Sequence, residues 1–161
     1  MQVRAKLVSL TLLCLISVGV RAESDTGARV PPQRLELVDG SILTSAQLAG
    51  RPAAYLFWAT WCHVCQAEFP AYQRLHETYS GSGFRVIAVS LDDSPGVVRD
   101  FVRDHGYRLP VAMRTEAIRK AFGPIKGTPT VFLVDREGLV VFKNLGGINY
   151  DELSERIRSI L

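Results

Sequence analysis

Phe57-Trp58-Ala59-Thr60-Trp61-Cys62-His63-Val64-Cys65, with Glu68-Phe69-Pro70 just behind it, is the stretch on which the reading of this chain turns. It starts inside an apolar run, Ala53 to Trp58, that reads as a buried strand. Beyond it, Cys65, Phe69, Tyr72, Leu75 and Tyr79 recur at helical spacing, which predicts a helix from about Cys62 to Tyr79. Cys62 therefore stands at the mouth of a helix, at the end of a core strand. Unpaired backbone N–H groups and the positive end of the helix dipole both favour thiolate over thiol there. The thiolate is the species that attacks disulfides.

The neighbours fit a chemical site. Cys65 lies one helical turn after Cys62, so it is expected to be the less exposed of the two and suited to a resolving role. His63 would stabilise the Cys62 thiolate further if protonated. Glu68, three residues past Cys65, lies on the adjoining helix surface, where a carboxylate can accept or deliver the proton of a buried thiol. Two indoles, Trp58 and Trp61, flank the turn and are expected to shelter the sulfurs while leaving one edge open. Pro70 inside the helix removes one backbone hydrogen bond and predicts a kink.

The chain begins with a different kind of segment. Arg4 and Lys6 precede a run from Leu7 to Val20 that is almost wholly apolar, and Val20-Arg21-Ala22 places small residues where a signal peptidase reads. The run is shorter than the ~18 or more residues of a membrane span. A signal peptide over 1–22, cleaved after Ala22, is expected in preference to a retained anchor. Removing Arg4, Lys6 and Arg21, with no acid among them, takes 19 basic residues to 16, equal to the 16 acidic ones. The formal charge of +3 thus belongs to the targeting segment and is no argument for nucleic acid. Cys14 leaves with it, so Cys62 and Cys65 remain as a lone pair in an exported chain, available for redox traffic or metal rather than for bracing. The remaining residues, 23–161, suffice for one core.

Glu23 to Pro32 reads as a linker and 33–161 as a single α/β domain. Leu35-Glu36-Leu37 and the Asp39-Gly40 turn suggest a short strand, with Ser41 to Gly50 connecting to the core strand. Ser80-Gly81-Ser82-Gly83 ends the first long helix. Phe84 to Leu91 is a second strand, and Ser94-Pro95 a cap and first-turn pair for a helix stopping at Gly106. A short strand is expected over Leu109–Ala112, a short helix over Glu116–Phe122, and a strand over Val131–Val134. The turn Asp135-Arg136-Glu137-Gly138 leads to a partner strand, Leu139 to Phe142. Asn149 with Glu152 resembles a capping box for a final helix whose Leu153, Ile157, Ile160 and Leu161 form an apolar stripe.

Pro129, at the start of a strand, cannot donate to a ladder, so it marks an edge, a turn or a cis bond. A cis Thr128–Pro129 bond would turn the backbone of Thr128 outward, where an incoming peptide could pair with it.

FWATWCHVC, then EFP, and a GTPTVFLVD segment before Arg-Glu-Gly together resemble the TlpA-like thiol–disulfide oxidoreductases of the thioredoxin superfamily, the ResA and DsbE-type exported reductases among them. The likeness covers about Pro32 to Leu161. It implies a thioredoxin fold, a central mixed sheet flanked by helices, with Phe84–Ala112 contributing the extra strand and helix of this branch. It also implies Cys62 as the attacking and Cys65 as the resolving cysteine of a redox-active disulfide, Glu68 as the active-site acid and Pro129 as the cis-proline. Trp61, His63, Thr128 and Pro129 are then the residues placed to meet a client. The implied setting is periplasmic, with no cofactor and no metal. Electrons would come from a membrane-embedded donor of the DsbD/CcdA type and pass to oxidised cysteines of exported proteins, apocytochrome c among them, as in cytochrome c biogenesis.

Three features depart from the pattern. Val64 replaces the proline common before the second cysteine, Leu56 stands where thioredoxin carries a buried aspartate, and Gly127-Thr128-Pro129-Thr130 lacks the GAPE-type loop of dedicated cytochrome c maturation reductases. One unit in the Cys62 pKa is worth about 1.4 kcal/mol, or about 30 mV for a two-electron couple, so such changes can tilt the pair toward oxidant or reductant. The alternatives are an oxidase or isomerase on the same scaffold and, from another class, a copper(I) carrier using the soft thiolates. Gln66 after Cys65 excludes the CxxCH attachment of c-type haem.

Overall fold

The computed structural model describes residues 26–161; the segment expected to be a signal peptide lies outside the described residues. Its centre is a five-stranded mixed sheet built around β3 (Ala53–Trp58), all six of whose residues are buried. Buried on both faces, the strand reads as a continuous apolar run rather than an alternation. β4 (Arg85–Ser90) and β5 (Val111–Met113) extend the sheet in parallel on one side. On the other, β6 (Thr130–Val134) pairs antiparallel with β3, and β7 (Val140–Leu145) antiparallel with β6. The order is β5-β4-β3-β6-β7, with a separate ribbon of β1 (Leu35–Glu36) and β2 (Ile42–Leu43).

Two apolar clusters sandwich the sheet. On one face Ala54, Leu56 and Trp58 pack with Val86, Val131 and Leu133 beneath α2 (His63–Tyr79), α3 (Pro95–Asp104) and α5 (Tyr150–Arg158). The helix face expected from sequence, Cys65, Phe69, Tyr72, Leu75 and Tyr79, is the buried face of α2. On the other face Tyr55, Phe57, Ile87 and Phe132 pack with Ile118 and Phe122 of α4 (Glu116–Phe122), and with Val30, Leu35, Leu43 and Leu48 from the N-terminal segment. Around Phe122 the rings of Tyr55, Phe57 and Phe132 lie 4.7, 5.2 and 5.1 Å away, in tilted or edge contacts. Strand, helix and strand at β4, α3 and β5 occupy the stretch expected to carry the additional elements.

Several local readings change. Ser41 to Gly50 is more than a connection: it holds β2 and α1 (Ser45–Leu48), closed by a reciprocal Thr44–Gln47 capping box. The linker expected over 23–32 is tied down from Gly27 onward. Gly27 N–H donates to Val140 O, Val140 N–H to Ala28 O and Val30 N–H to Gly138 O, and Val30 is buried. Farther along, Val38 N–H donates to Val111 O on β5. Ser94 occupies the N-cap of α3 without a side-chain cap bond, whereas Asn149 accepts from Glu152 N–H at the start of α5. The helix α2 runs on through Pro70.

Candidate active site

Because β3 and β6 pair with Phe57 opposite Thr130, the end of β3 and the start of β6 meet at one edge of the sheet. The turn into α2 and the Thr128–Pro129 segment therefore share that edge. Cys62 is the N-cap of α2: its backbone is extended, and its Sγ accepts from the N–H of Cys65 at 3.2 Å. The structure shows a Cys62–Cys65 disulfide, with Cα atoms 5.2 Å apart. Cys62 is 8 % exposed and Cys65 1 %, so the sulfur at the helix mouth is the one an outside nucleophile or disulfide can meet.

The turn that presents Cys62 is held from two sides. Asp92, just past β4, accepts from Thr60 N–H at 2.9 Å, from Thr60 Oγ1 at 2.6 Å and from the Ser90 hydroxyl at 2.7 Å. Gln66 Nε2, on the first turn of α2, donates to Thr60 O. None of this was expected from sequence, although a serine closing an otherwise apolar strand, two residues before an aspartate, is a signal that could have drawn attention.

The indoles differ from expectation. Trp58 is fully buried and packs on Phe69 and Phe101 at centroid distances of 4.4 and 5.2 Å, as part of the core. Only Trp61, 64 % exposed, lies at the surface beside the cysteines, and Val64 is also exposed. Trp58 faces inward because it ends a strand whose alternate side chains point at α2, so it does not screen the sulfurs from outside. His63 is exposed at the first position of the helix.

Glu68 reaches across to the turn after β7, where its Oε1 accepts from Ile148 N–H at 3.0 Å. Burial raises its pKa above the usual carboxylate value, opposed by that hydrogen bond. Its Oε2 is buried without a partner, as are the Tyr72 hydroxyl and Trp58 Nε1. Burial raises the Tyr72 pKa strongly, and the charge of Glu68 adds to the rise. A half-buried carboxylate held above its usual range, on the same helix as the buried Cys65, can accept or release a proton for that thiol.

The Thr128–Pro129 bond is cis. Pro129 is buried and its carbonyl accepts from Gly146 N–H at 2.8 Å, while Thr130 Oγ1 donates to Gly127 O. Among the described residues no backbone hydrogen bond engages Thr128. The structure thus brings Cys62, Cys65, Glu68, Trp61, Thr128 and Pro129 to one end of the sheet. Among the described residues no group of three or more His, Cys, Asp or Glu side chains gathers as a metal site would require.

Comparison with known proteins agrees with this geometry. The AhpC/TSA family pattern matches residues 26–143. The thiol-disulfide oxidoreductase ResA of Bacillus thuringiensis (strain Al Hakam) is 30 % identical over 124 residues, 76 % of this chain and 71 % of that protein. The thiol:disulfide interchange protein of the thioredoxin family from Chlorobium tepidum TLS superposes with a TM-score of 0.77 at 26 % identity, covering 84 % of this chain and 97 % of that one. A second Chlorobium tepidum structure, assigned to the interchange protein DsbE, gives 0.74 at 29 % identity, with the same coverage. With its cysteine pair at a helix mouth, beside a cis-proline and on a thioredoxin-like sheet, the chain belongs to the AhpC/TSA family and is a thiol–disulfide oxidoreductase of the ResA/DsbE type.

Proposed function

We propose that the protein is an exported reductase that opens disulfides of client proteins outside the cytoplasm. The observation that carries this reading is the position of Cys62: an N-cap sulfur bonded to a helix N–H, more exposed than its partner. In the reduced protein the Cys62 thiolate attacks a client disulfide, forming a mixed disulfide and releasing one client thiolate. Cys65 then attacks Cys62 Sγ, gives its proton to Glu68, and closes the Cys62–Cys65 disulfide as the second client thiolate leaves. Two electrons pass to the client, and a membrane-embedded donor of the DsbD/CcdA type restores the dithiol.

Trp61 and Val64 offer an apolar rim for the client, and Thr128 a free main chain for it to pair with. His63 lies at that rim, where a protonated ring would favour the Cys62 thiolate. Export follows from the reading of residues 1–22 as a cleaved signal peptide, with periplasmic release; among the described residues no helix is long and apolar enough to cross a membrane. Apocytochrome c is one client this reading admits.

Trapping tests it. With Cys65→Ser, the attacking step proceeds and the resolving step does not, so oxidised clients should stay covalently attached to Cys62 in the native compartment. No captured protein, or a measured potential as oxidising as about −120 mV, would refute the reductase reading.

A further inference from the structure

The turn between β7 and α5 does more than join two elements. Gly146 N–H donates to Pro129 O at 2.8 Å, and two residues on, Ile148 N–H donates to Glu68 Oε1 at 3.0 Å. Asn144 Nδ2 reaches Gly146 O at 2.9 Å and Gly147 O at 3.4 Å, fixing the turn from below. One short turn thus fastens the cis-proline segment with one amide and the carboxylate with another.

The two glycines in it are there for different reasons. Gly146 has φ +93° and open space where a Cβ would go, so its backbone conformation calls for glycine. Gly147 lies outside the left-handed region, and only space is at issue. A Cβ added there would overlap Glu68 Oε1, lie 3.4 Å from its Cδ and 3.8 Å from Val64 Cγ1. Its missing side chain is what lets the carboxylate of α2 and a residue of the CxxC motif close on the turn.

We propose that Gly147 and the Ile148 amide form a seat that positions the Glu68 carboxylate and decides which of its oxygens carries the proton. The inference rests on the reading of Glu68 as the acid that serves Cys65. Oε1 is occupied by the amide, and Oε2, buried without a partner, is the atom left to bear the proton. When Cys65 leaves the opening disulfide as a thiolate it takes that proton, and on closure it returns it. The ionisable side chain that bears on Glu68 among the described residues is Tyr72, one turn along the same helix. The β7–α5 turn contributes backbone N–H. Gly147 is a positioning residue in this account.

The experiment is a pH titration of the ¹⁵N-labelled protein, alongside the pH dependence of cysteine alkylation in its reduced form. The Ile148 amide resonance should titrate with a midpoint above the ordinary carboxylate range, and Glu68→Gln should abolish that titration. Gly147→Ala expels the carboxylate into water, so the midpoint should fall toward the ordinary value and the alkylation profile should shift with it. In a Glu68→Ala background, Gly147→Ala should change nothing further. A flat Ile148 resonance, or an equal effect of Gly147→Ala in both backgrounds, would overturn the seat. Should Gly147→Ala fail to fold, folding of the Gly147→Ala/Glu68→Ala double variant upholds the clash and its failure overturns it. A titrating Ile148 amide with an alkylation profile indifferent to Glu68→Gln would uphold the seat and overturn the acid role on which the proposed function draws.

Discussion

Asp92→Ala is the substitution whose cost the structure defines best. The carboxylate accepts three bonds, from Thr60 N–H, Thr60 Oγ1 and Ser90 Oγ, at 2.9, 2.6 and 2.7 Å. Bonds to a charged acceptor contribute about 1.5–3 kcal/mol each, but their losses do not simply add. Thr60 is partly exposed, so water replaces most of what its two donors lose. Ser90 is fully buried, and its hydroxyl, left without its acceptor, carries a desolvation cost of about 1–3 kcal/mol. A loss of about 3 kcal/mol is therefore expected. With a urea slope of about 1.5 kcal/mol per molar, the midpoint should fall by about 2 M in both the oxidised and the reduced protein. Asp92→Asn keeps an acceptor of the same shape without the charge and should recover at least part of the loss. A midpoint shift of less than about 0.3 M for Asp92→Ala, equivalent to ~0.5 kcal/mol on the same slope, would refute the idea that this cluster holds the turn into Cys62.

Three further outcomes are expected. Burial holds Glu68 protonated above the range in which it ionises in the unfolded chain, so the folded state binds more protons there. Stability should then fall as pH rises from the ordinary carboxylate range through the raised value, and Glu68→Gln should flatten that slope in urea titrations at a series of pH values. Phe122→Ala removes a buried ring packed among Tyr55, Phe57 and Phe132 and should cost about 3–5 kcal/mol by denaturation, with the alkylation rate of the folded reduced protein unchanged. Tyr79→Phe breaks a buried bond of 2.6 Å with Ser154 Oγ that ties α2 to α5, and calorimetry should register a loss of about 1 kcal/mol.

How far the sequence carried the reading depended on the range of each interaction. The strand Ala53–Trp58 and the buried stripe of α2 were legible because period and composition are local, and the pattern of WCxxCxxExP with a distant Thr-Pro pointed to the fold. The cis bond at Pro129 was legible as one of few options open to a proline opening a strand. The Thr44–Gln47 box and α1 went unread because four helical residues scarcely establish a period. The strand expected to stop at Phe142 continues to Leu145 because pairing with β6, down to Thr130 opposite Leu145, outweighs the polarity of Lys143 and Asn144. Trp58 was expected beside the sulfurs because its neighbours in sequence are there; the side to which a strand residue points is settled by what packs on each face. Asp92 with Thr60, 32 residues apart, and Glu68 with Ile148, 80 apart, could not be inferred from any local pattern.

The N-terminal segment, which bonds to β7 through Gly27 to Val30 and to β5 through Val38, has a further consequence. It lays main chain against part of each outer margin of the sheet, margins that would otherwise invite a second copy to add itself strand by strand. Among the described residues that cover reaches Val140, the first residue of β7. Trimming the chain through Val30 should therefore promote self-association at β7 and leave the chemistry at Cys62, at the opposite end of that strand, untouched.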